Sequence, residues 1–173
     1  MYVSKEEDGI WLRALPVWVM DTLMRLSDWV QSDDPRVLSR LRPNAYEDAE
    51  QDREWRDALG SSLEHLVATR SEIVNGDLRK MEVCAGQTDD EEEEDGSAAF
   101  AEGPLFNVWI PGAHVAAWAD LLQAGTHALF ILDGLTHEDV ERGLEEVSID
   151  PEKRVAMLRL SILQEILVRI IEN

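Results

Sequence analysis

The chain has 173 residues, of which 45% are hydrophobic, and this is enough to form the core of one domain of ordinary size. Its formal net charge of -20 repels phosphate backbones and anionic lipid headgroups, so the composition argues against nucleic-acid binding and membrane binding. Cys84 is the only cysteine, which excludes an internal disulfide and is typical of a reducing cytoplasm, where we expect the protein to be located.

The first part of the chain predicts a short strand and two helices. The apolar run at residues 10–12 predicts the strand. A helix is predicted from Pro16 to residue 31, because proline suits the first turn of a helix and the following apolar residues share one face. The sequence Asp-Asp-Pro at residues 33–35 is typical of a second helix start, and this helix ends before Pro43.

A long helix is predicted from residue 46 to residue 74, with Asn75-Gly76 as its stop. One stripe of this helix is apolar except for Arg70, and its members are Trp55, Leu59, Leu63, Leu66 and Ile73. Such a stripe predicts a helix that lies against the core of the domain.

The middle of the chain predicts a hairpin with a charged loop. Residues 81–84 and 106–110 are its two strands. Between them, residues 89–95 are seven consecutive carboxylates, which repel one another and cannot be packed inside a protein. We therefore expect a solvated, disordered loop at residues 86–104. A calcium site is the alternative, yet the run lacks the alternating, glycine-punctuated spacing of a calcium loop.

The C-terminal part predicts three helices. The first runs from Pro111-Gly112 to residue 132, and Thr136 begins a short acidic helix in which Asp139 completes a capping box. The last helix, residues 150–172, is apolar around most of its circumference and is expected at the centre of the fold. The pattern as a whole predicts a mainly α fold: one domain over residues 1–173, built as a helical bundle with a small antiparallel β ribbon.

Four residues are candidates for a ligand site. Arg70 and Arg159 each lie on an apolar helix face, where an unpaired charge is too unfavourable to persist, so we expect a carboxylate partner for each. The alternative is that one of them faces a pocket and binds an anionic ligand. Asp120 and His127 share the narrow polar stripe of their helix. They are either an acid-base pair in a cleft or part of the solvent-exposed side of an otherwise buried helix.

The usual catalytic signatures are missing from the sequence, which has no glycine-rich phosphate loop, nucleophile elbow or paired-histidine zinc helix. We therefore predict no catalytic residue, no metal and no cofactor. The favoured function is a non-enzymatic interaction or regulatory protein that binds a protein partner through an acidic face or an apolar groove. The alternative is a small anionic-ligand-binding protein or an enzyme that uses the four candidate residues. A homodimer is compatible with either hypothesis.

The segment at residues 38–46, with the sequence LSRLRPNAY, resembles an uncharacterised, mainly actinobacterial family of small acidic helical proteins. Further similar positions are Trp55, Leu59-Gly60, Leu63, residues 118–122, Leu135-Thr136, Glu138-Asp139 and residues 163–165. The resemblance implies a helical bacterial cytoplasmic protein, and relatives encoded near the Clp protease adaptor suggest a role in protein turnover. This chain departs from the family at Gln123-Ala124 and Thr126, and its acidic insertion at residues 88–97 is unusual.

Overall fold

The computed structural model describes residues 1–84, 103–146 and 150–172. The seven-carboxylate run, and nearly all of the loop predicted at residues 86–104, lie outside the described residues, so the prediction of a disordered loop stays a prediction. Within the described residues the fold is mainly helical with a small antiparallel sheet, which confirms the predicted fold class.

The sheet has four antiparallel strands in the order β1-β2-β4-β3, namely β1 (Tyr2–Glu6), β2 (Gly9–Pro16), β3 (Glu82–Cys84) and β4 (Leu105–Pro111). The predicted hairpin is confirmed, since β3 pairs with β4, and β2 pairs with the other side of β4. Strand β1 was not predicted. It lies at the sheet edge, where only one neighbour and few apolar contacts are needed, and its polar sequence reflects that position.

Seven helices occur in the described residues: α1 (Val17–Met24), α2 (Leu26–Val30), α3 (Pro35–Leu41), α4 (Ala49–Leu78), α5 (Val115–Leu132), α6 (His137–Glu146) and α7 (Pro151–Glu172). A 3₁₀ turn at Gly112–His114 precedes α5. The helix predicted from Pro16 to residue 31 is divided at Arg25 into α1 and α2. The predicted starts of α3, α6 and α7 are confirmed to within a residue or two, because each has its own local capping signal.

Helix α5 is the central helix. By length and composition, residues 112–132 could cross a membrane, but α2, α3, α4 and α7 pack around α5. Trp118, Leu122 and Leu129 on this helix are fully buried. These contacts make α5 a helix of the domain's core. One face of the sheet closes the same core with Leu12 and Val108, which leaves the other face of the sheet turned outward.

The predicted stop of α4 at Asn75-Gly76 is wrong, because the helix continues to Leu78. Glycine in a helix costs about 1 kcal/mol relative to alanine, but burial of Val74 and Leu78 outweighs that cost. The side of α4 that contacts the core is formed by Val67, Val74 and Leu78 and not by the predicted apolar stripe, of which Leu59 and Leu66 stay exposed.

A buried capping box begins α6 and gives a pH prediction. The backbone N–H and Oγ1 of Thr136 donate to Asp139 Oδ2 at 2.8 and 2.7 Å, and Lys153 Nζ donates to the same atom at 2.9 Å. The Thr136 hydroxyl first, and then Lys153, hold the pKa of Asp139 at about 2, against an ordinary 3.8.

Because this pKa is lowered in the folded state, the ionised Asp139 stabilises the fold above about pH 4, and that contribution is lost as the pH falls toward 2. We expect Asp139→Asn to be less stable than the parent at pH 5, with the difference shrinking by pH 2. Urea unfolding at the two pH values measures it. A difference that is the same at both would contradict the prediction.

Candidate functional site

The structure pairs both candidate arginines with carboxylates, which confirms the predicted ion pairs. Arg70 lies 2.7 Å from Asp120, and Arg159 lies 3.3 Å from Asp21. His127 is half-buried and lies two turns from Asp120 on the same helix, about 10 Å further along the axis. The four candidates therefore do not form one site, because the two ion pairs share no residue and Asp120 is engaged by Arg70.

Arg159 also lines an open pocket of about 560 Å³, together with Asp133, Glu152, Leu132, Pro151 and Val155. Burial raises the pKa of Asp133, while the Arg159 guanidinium acts in the opposite direction and the Glu152 carboxylate adds to the rise. Two carboxylates thus face one guanidinium, and that guanidinium already has Asp21 as its partner. This arrangement repels an anionic ligand rather than attracting one.

A second pocket, of about 360 Å³, lies by the outward face of the sheet, and we call it the tryptophan pocket. Its lining residues come from the four strands, from the C-terminal end of α4 and from the turn that follows α4: Glu6, Trp11, Asp77, Lys80, Glu82, Trp109 and Pro111. Three carboxylates and one ammonium surround two indole rings, so the pocket combines aromatic surface with net negative charge.

Strand pairing brings the two indoles together. Trp11 and Trp109 are direct partners in the β2-β4 register, and cross-strand partners point to the same face of a sheet. Their ring centroids are 5.2 Å apart with an interplanar angle of 48°. Gly9 makes this possible, since a Cβ there would lie 2.7 Å from the Trp109 ring and would also clash with the carbonyl oxygen of Ile110.

The outward face of the sheet already holds one cation. The Arg13 guanidinium carbon lies 4.9 Å from the centre of the Trp11 ring, a distance at which the negative face of an indole attracts a positive charge. Arg13 also pairs with Glu6 at 3.2 Å. The geometry therefore shows, within this chain, how an indole and a carboxylate on this face hold a guanidinium together.

Asp77 forms the buried wall of the tryptophan pocket, and it is 2% exposed. Its Oδ2 accepts a hydrogen bond from Trp118 Nε1 at 3.1 Å and lies 2.8 Å from His114 Nδ1. A carboxylate that orients a histidine is an arrangement found in general-base catalysis. In the described part of the chain, however, His114 hydrogen-bonds only to Asp77, so no nucleophile is aligned with its ring.

Of the acidic and aromatic members of the pocket, Glu82 and Trp109 remain available to a ligand, and Lys80 also has no ion pair in the part of the chain that the structure describes. Neither Glu82 nor Trp109 has an ion pair, a side-chain hydrogen bond or a cation over its ring among the described residues, whereas Glu6 and Trp11 are engaged by Arg13. A ligand that carries a positive charge can therefore use Glu82 and Trp109 without displacing an existing contact.

Sequence reasoning missed this pocket. The two tryptophans lie in strand candidates 98 residues apart, and only the β2-β4 pairing, which was not predicted, places them side by side. The close approach of Gly9 to the Trp109 ring is likewise visible only in the structure, because Gly9 pairs with Pro111 and lies diagonally across from Trp109. Nothing in the sequence indicated the contact of Asp77 with His114 and Trp118.

Comparisons with known proteins give no relative. No family matches the chain, and neither the curated proteins nor the solved structures include a significant match. The resemblance to the actinobacterial family therefore stays a prediction. Among residues 1–84, 103–146 and 150–172, no group of three or more histidine, cysteine or acidic side chains is arranged to hold a metal ion.

Proposed function

We propose that this chain is a non-enzymatic interaction protein of the bacterial cytoplasm that binds a basic segment of a protein partner at the tryptophan pocket. The observation that carries the proposal is the pairing of an indole surface, Trp11 and Trp109, with the carboxylates of Glu6, Asp77 and Glu82. A regulatory role in protein turnover, which the family resemblance implies, is compatible with such binding and belongs to the same proposal.

The charge of the whole chain supports a basic partner. With 36 acidic and 16 basic residues, the protein attracts cations over distances of about 10 Å at ordinary ionic strength and repels acidic partners. Such long-range attraction raises the association rate but does not determine where on the surface the partner binds. The tryptophan pocket supplies the local contacts, because a cation over an exposed indole contributes about 0.5–1 kcal/mol, and more when water is excluded.

The alternative, an anionic ligand or an enzyme built on the four candidate residues, has less support. Arg70 and Arg159 are both neutralised by carboxylates, and the pocket of Arg159 carries two further acids. A free phosphate or carboxylate would have to displace Asp120 or Asp21 from its arginine before it could bind, and this lowers its affinity by the strength of the internal pair.

A ten-residue peptide of alternating arginine and serine, (Arg-Ser)₅, tests the proposal. In a two-dimensional ¹H-¹⁵N spectrum, the peptide is expected to shift the indole N–H signals of Trp11 and Trp109 and to leave that of Trp18 unchanged. Reversing the charge at the pocket with Glu82→Lys is expected to weaken binding about tenfold, because an attractive pair of about 0.7 kcal/mol becomes a repulsive one of similar size.

Glu54→Lys is the matched control. Glu54 is exposed on α4, outside the tryptophan pocket and without an ion pair among the described residues, and its reversal changes the net charge by the same amount. We expect it to weaken binding less than twofold at 0.15 M salt. Equal losses for the two variants would show that attraction is diffuse, and unshifted indole signals of Trp11 and Trp109 would place the peptide elsewhere. Either result refutes the proposal.

A further inference from the structure

A second pocket, which we call the hairpin pocket, lies beside the turn of the β1-β2 hairpin. It has a volume of about 570 Å³. Its walls are the hairpin turn at residues 6–9, Val115 at the start of α5, and Ile170 and Ile171 at the end of α7. Three parts of the chain that are distant in sequence thus meet around one concave surface.

The two pockets are neighbours on the surface. Glu6 lines both of them, and Pro111 of the tryptophan pocket directly precedes Gly112 of the hairpin pocket. The backbone between them is fixed, because the Gly112 N–H donates to the carbonyl oxygen of Asp8 at 2.7 Å. A Cβ at Gly112 would approach that oxygen to 3.2 Å, so glycine permits this close contact between the hairpin turn and the start of the helix.

The hairpin pocket is lined by apolar and by acidic residues. Ile171 is 67% exposed and has the highest exposure among the large apolar residues of the described chain, whereas Ile170 beside it is buried. Three acidic residues, Glu6, Glu7 and Asp8, and one lysine, Lys5, line the same pocket. An exposed isoleucine in a concave surface that also carries more acids than bases is suited to an apolar side chain that has cationic neighbours.

We infer that the partner segment carries an apolar side chain beside its cation, with the cation in the tryptophan pocket and the apolar side chain on Ile171 in the hairpin pocket. This inference rests on the proposed function and specifies its ligand as a basic, apolar protein segment. Charge complementarity selects this occupant over a second copy of the chain, because a second copy would bring the same carboxylates to the pocket.

Two peptides of equal charge test the inference: (Arg-Ser)₅ and (Arg-Leu)₅. We expect (Arg-Leu)₅ to bind the parent about tenfold more tightly, since burying most of one leucine side chain contributes about 1.4 kcal/mol. Ile171→Ser is expected to remove most of that gain while leaving the affinity for (Arg-Ser)₅ within twofold. Isothermal titration calorimetry of both peptides against the parent and each variant measures the affinities.

Val168→Ser is the matched control, because Val168 is exposed on the same helix and lines neither pocket. This variant is expected to keep the tighter binding of (Arg-Leu)₅ relative to (Arg-Ser)₅. The inference would be overturned if the parent bound the two peptides with equal affinity, or if Ile171→Ser and Val168→Ser lost equal affinity for (Arg-Leu)₅. The proposed function would still stand in that case, provided that (Arg-Ser)₅ binding depends on Glu82. Concentration-dependent dimerisation that Ile171→Ser abolishes would assign the pocket to a second copy and would also overturn it. Failure of (Arg-Ser)₅ to bind the parent would refute the proposed function itself.

Discussion

Replacing Trp118 with alanine is expected to lower the free energy of unfolding by about 3–5 kcal/mol, the largest effect that we predict for one residue. The side chain is fully buried at the centre of the fold, so its removal leaves a cavity that the helices packed around α5 cannot fill. The same change removes the N–H group that donates to Asp77, and it leaves the buried carboxylate with one partner fewer. Urea unfolding followed by circular dichroism measures the loss.

Two further variants separate packing from hydrogen bonding at this site. Trp118→Phe keeps most of the ring volume but removes the donor to Asp77, and we expect a loss of about 1–3 kcal/mol. Trp18→Ala is the matched control for the loss of an indole, since Trp18 is 37% exposed and lies outside the core cluster of the described residues. We expect it to cost clearly less than Trp118→Ala. Equal losses for Trp18→Ala and Trp118→Ala would contradict the central position of Trp118.

Replacing Gly9 with alanine is expected to cost about 3 kcal/mol and to disturb the tryptophan pocket at the same time. The new Cβ would clash with the backbone oxygen of Ile110 and with the ring of Trp109, and a backbone atom in a paired strand cannot move aside without breaking the β2-β4 pairing. Thermal unfolding measures the stability, and the indole signals of Trp11 and Trp109 report the change in the pocket.

Gly60→Ala provides the contrast for Gly9→Ala. A Cβ at Gly60 meets no atom within 4 Å, and the residue lies in the interior of α4. Alanine there is expected to stabilise the protein by about 0.5–1 kcal/mol, because glycine loses more backbone freedom on folding than alanine does. If both substitutions changed stability in the same direction and by similar amounts, the close packing at Gly9 would not be the cause of its effect.

The elements that the sequence predicted well are those with local signals. Asp34 caps α3 just before Pro35, Thr136 and Asp139 form the capping box of α6, and Pro151 begins α7. Each signal acts over three or four residues, so it can be read without knowing what the helix packs against. The ion pairs of Arg70 and Arg159 were also predicted, but both pairs are partly exposed, with 35% and 24% of the two arginine side chains accessible, so they are surface pairs and not the buried pairs that the apolar helix faces indicated.

The errors concern features that depend on distant parts of the chain. Helix α4 continues past Asn75-Gly76 because its last turn is buried against α5 and the sheet, and Asp77 in that turn contacts His114 and Trp118. Strand β1 exists because β2 is there to pair with it. The tryptophan pocket needs both the β2-β4 register and the end of α4. A capping motif or an apolar period carries no information about such partners.

The hydrogen bond between Gly112 and Asp8 has a consequence for selectivity. This contact fixes the hairpin turn against the start of the central helix, and α7, which carries Ile171, packs along that same helix, so the interval between the indole pair and Ile171 is set by packed backbone elements. For the partner segment that we propose, we therefore expect binding to depend on the number of residues between the cation and the apolar side chain. A segment with the wrong interval is expected to reach one pocket only and to dissociate faster.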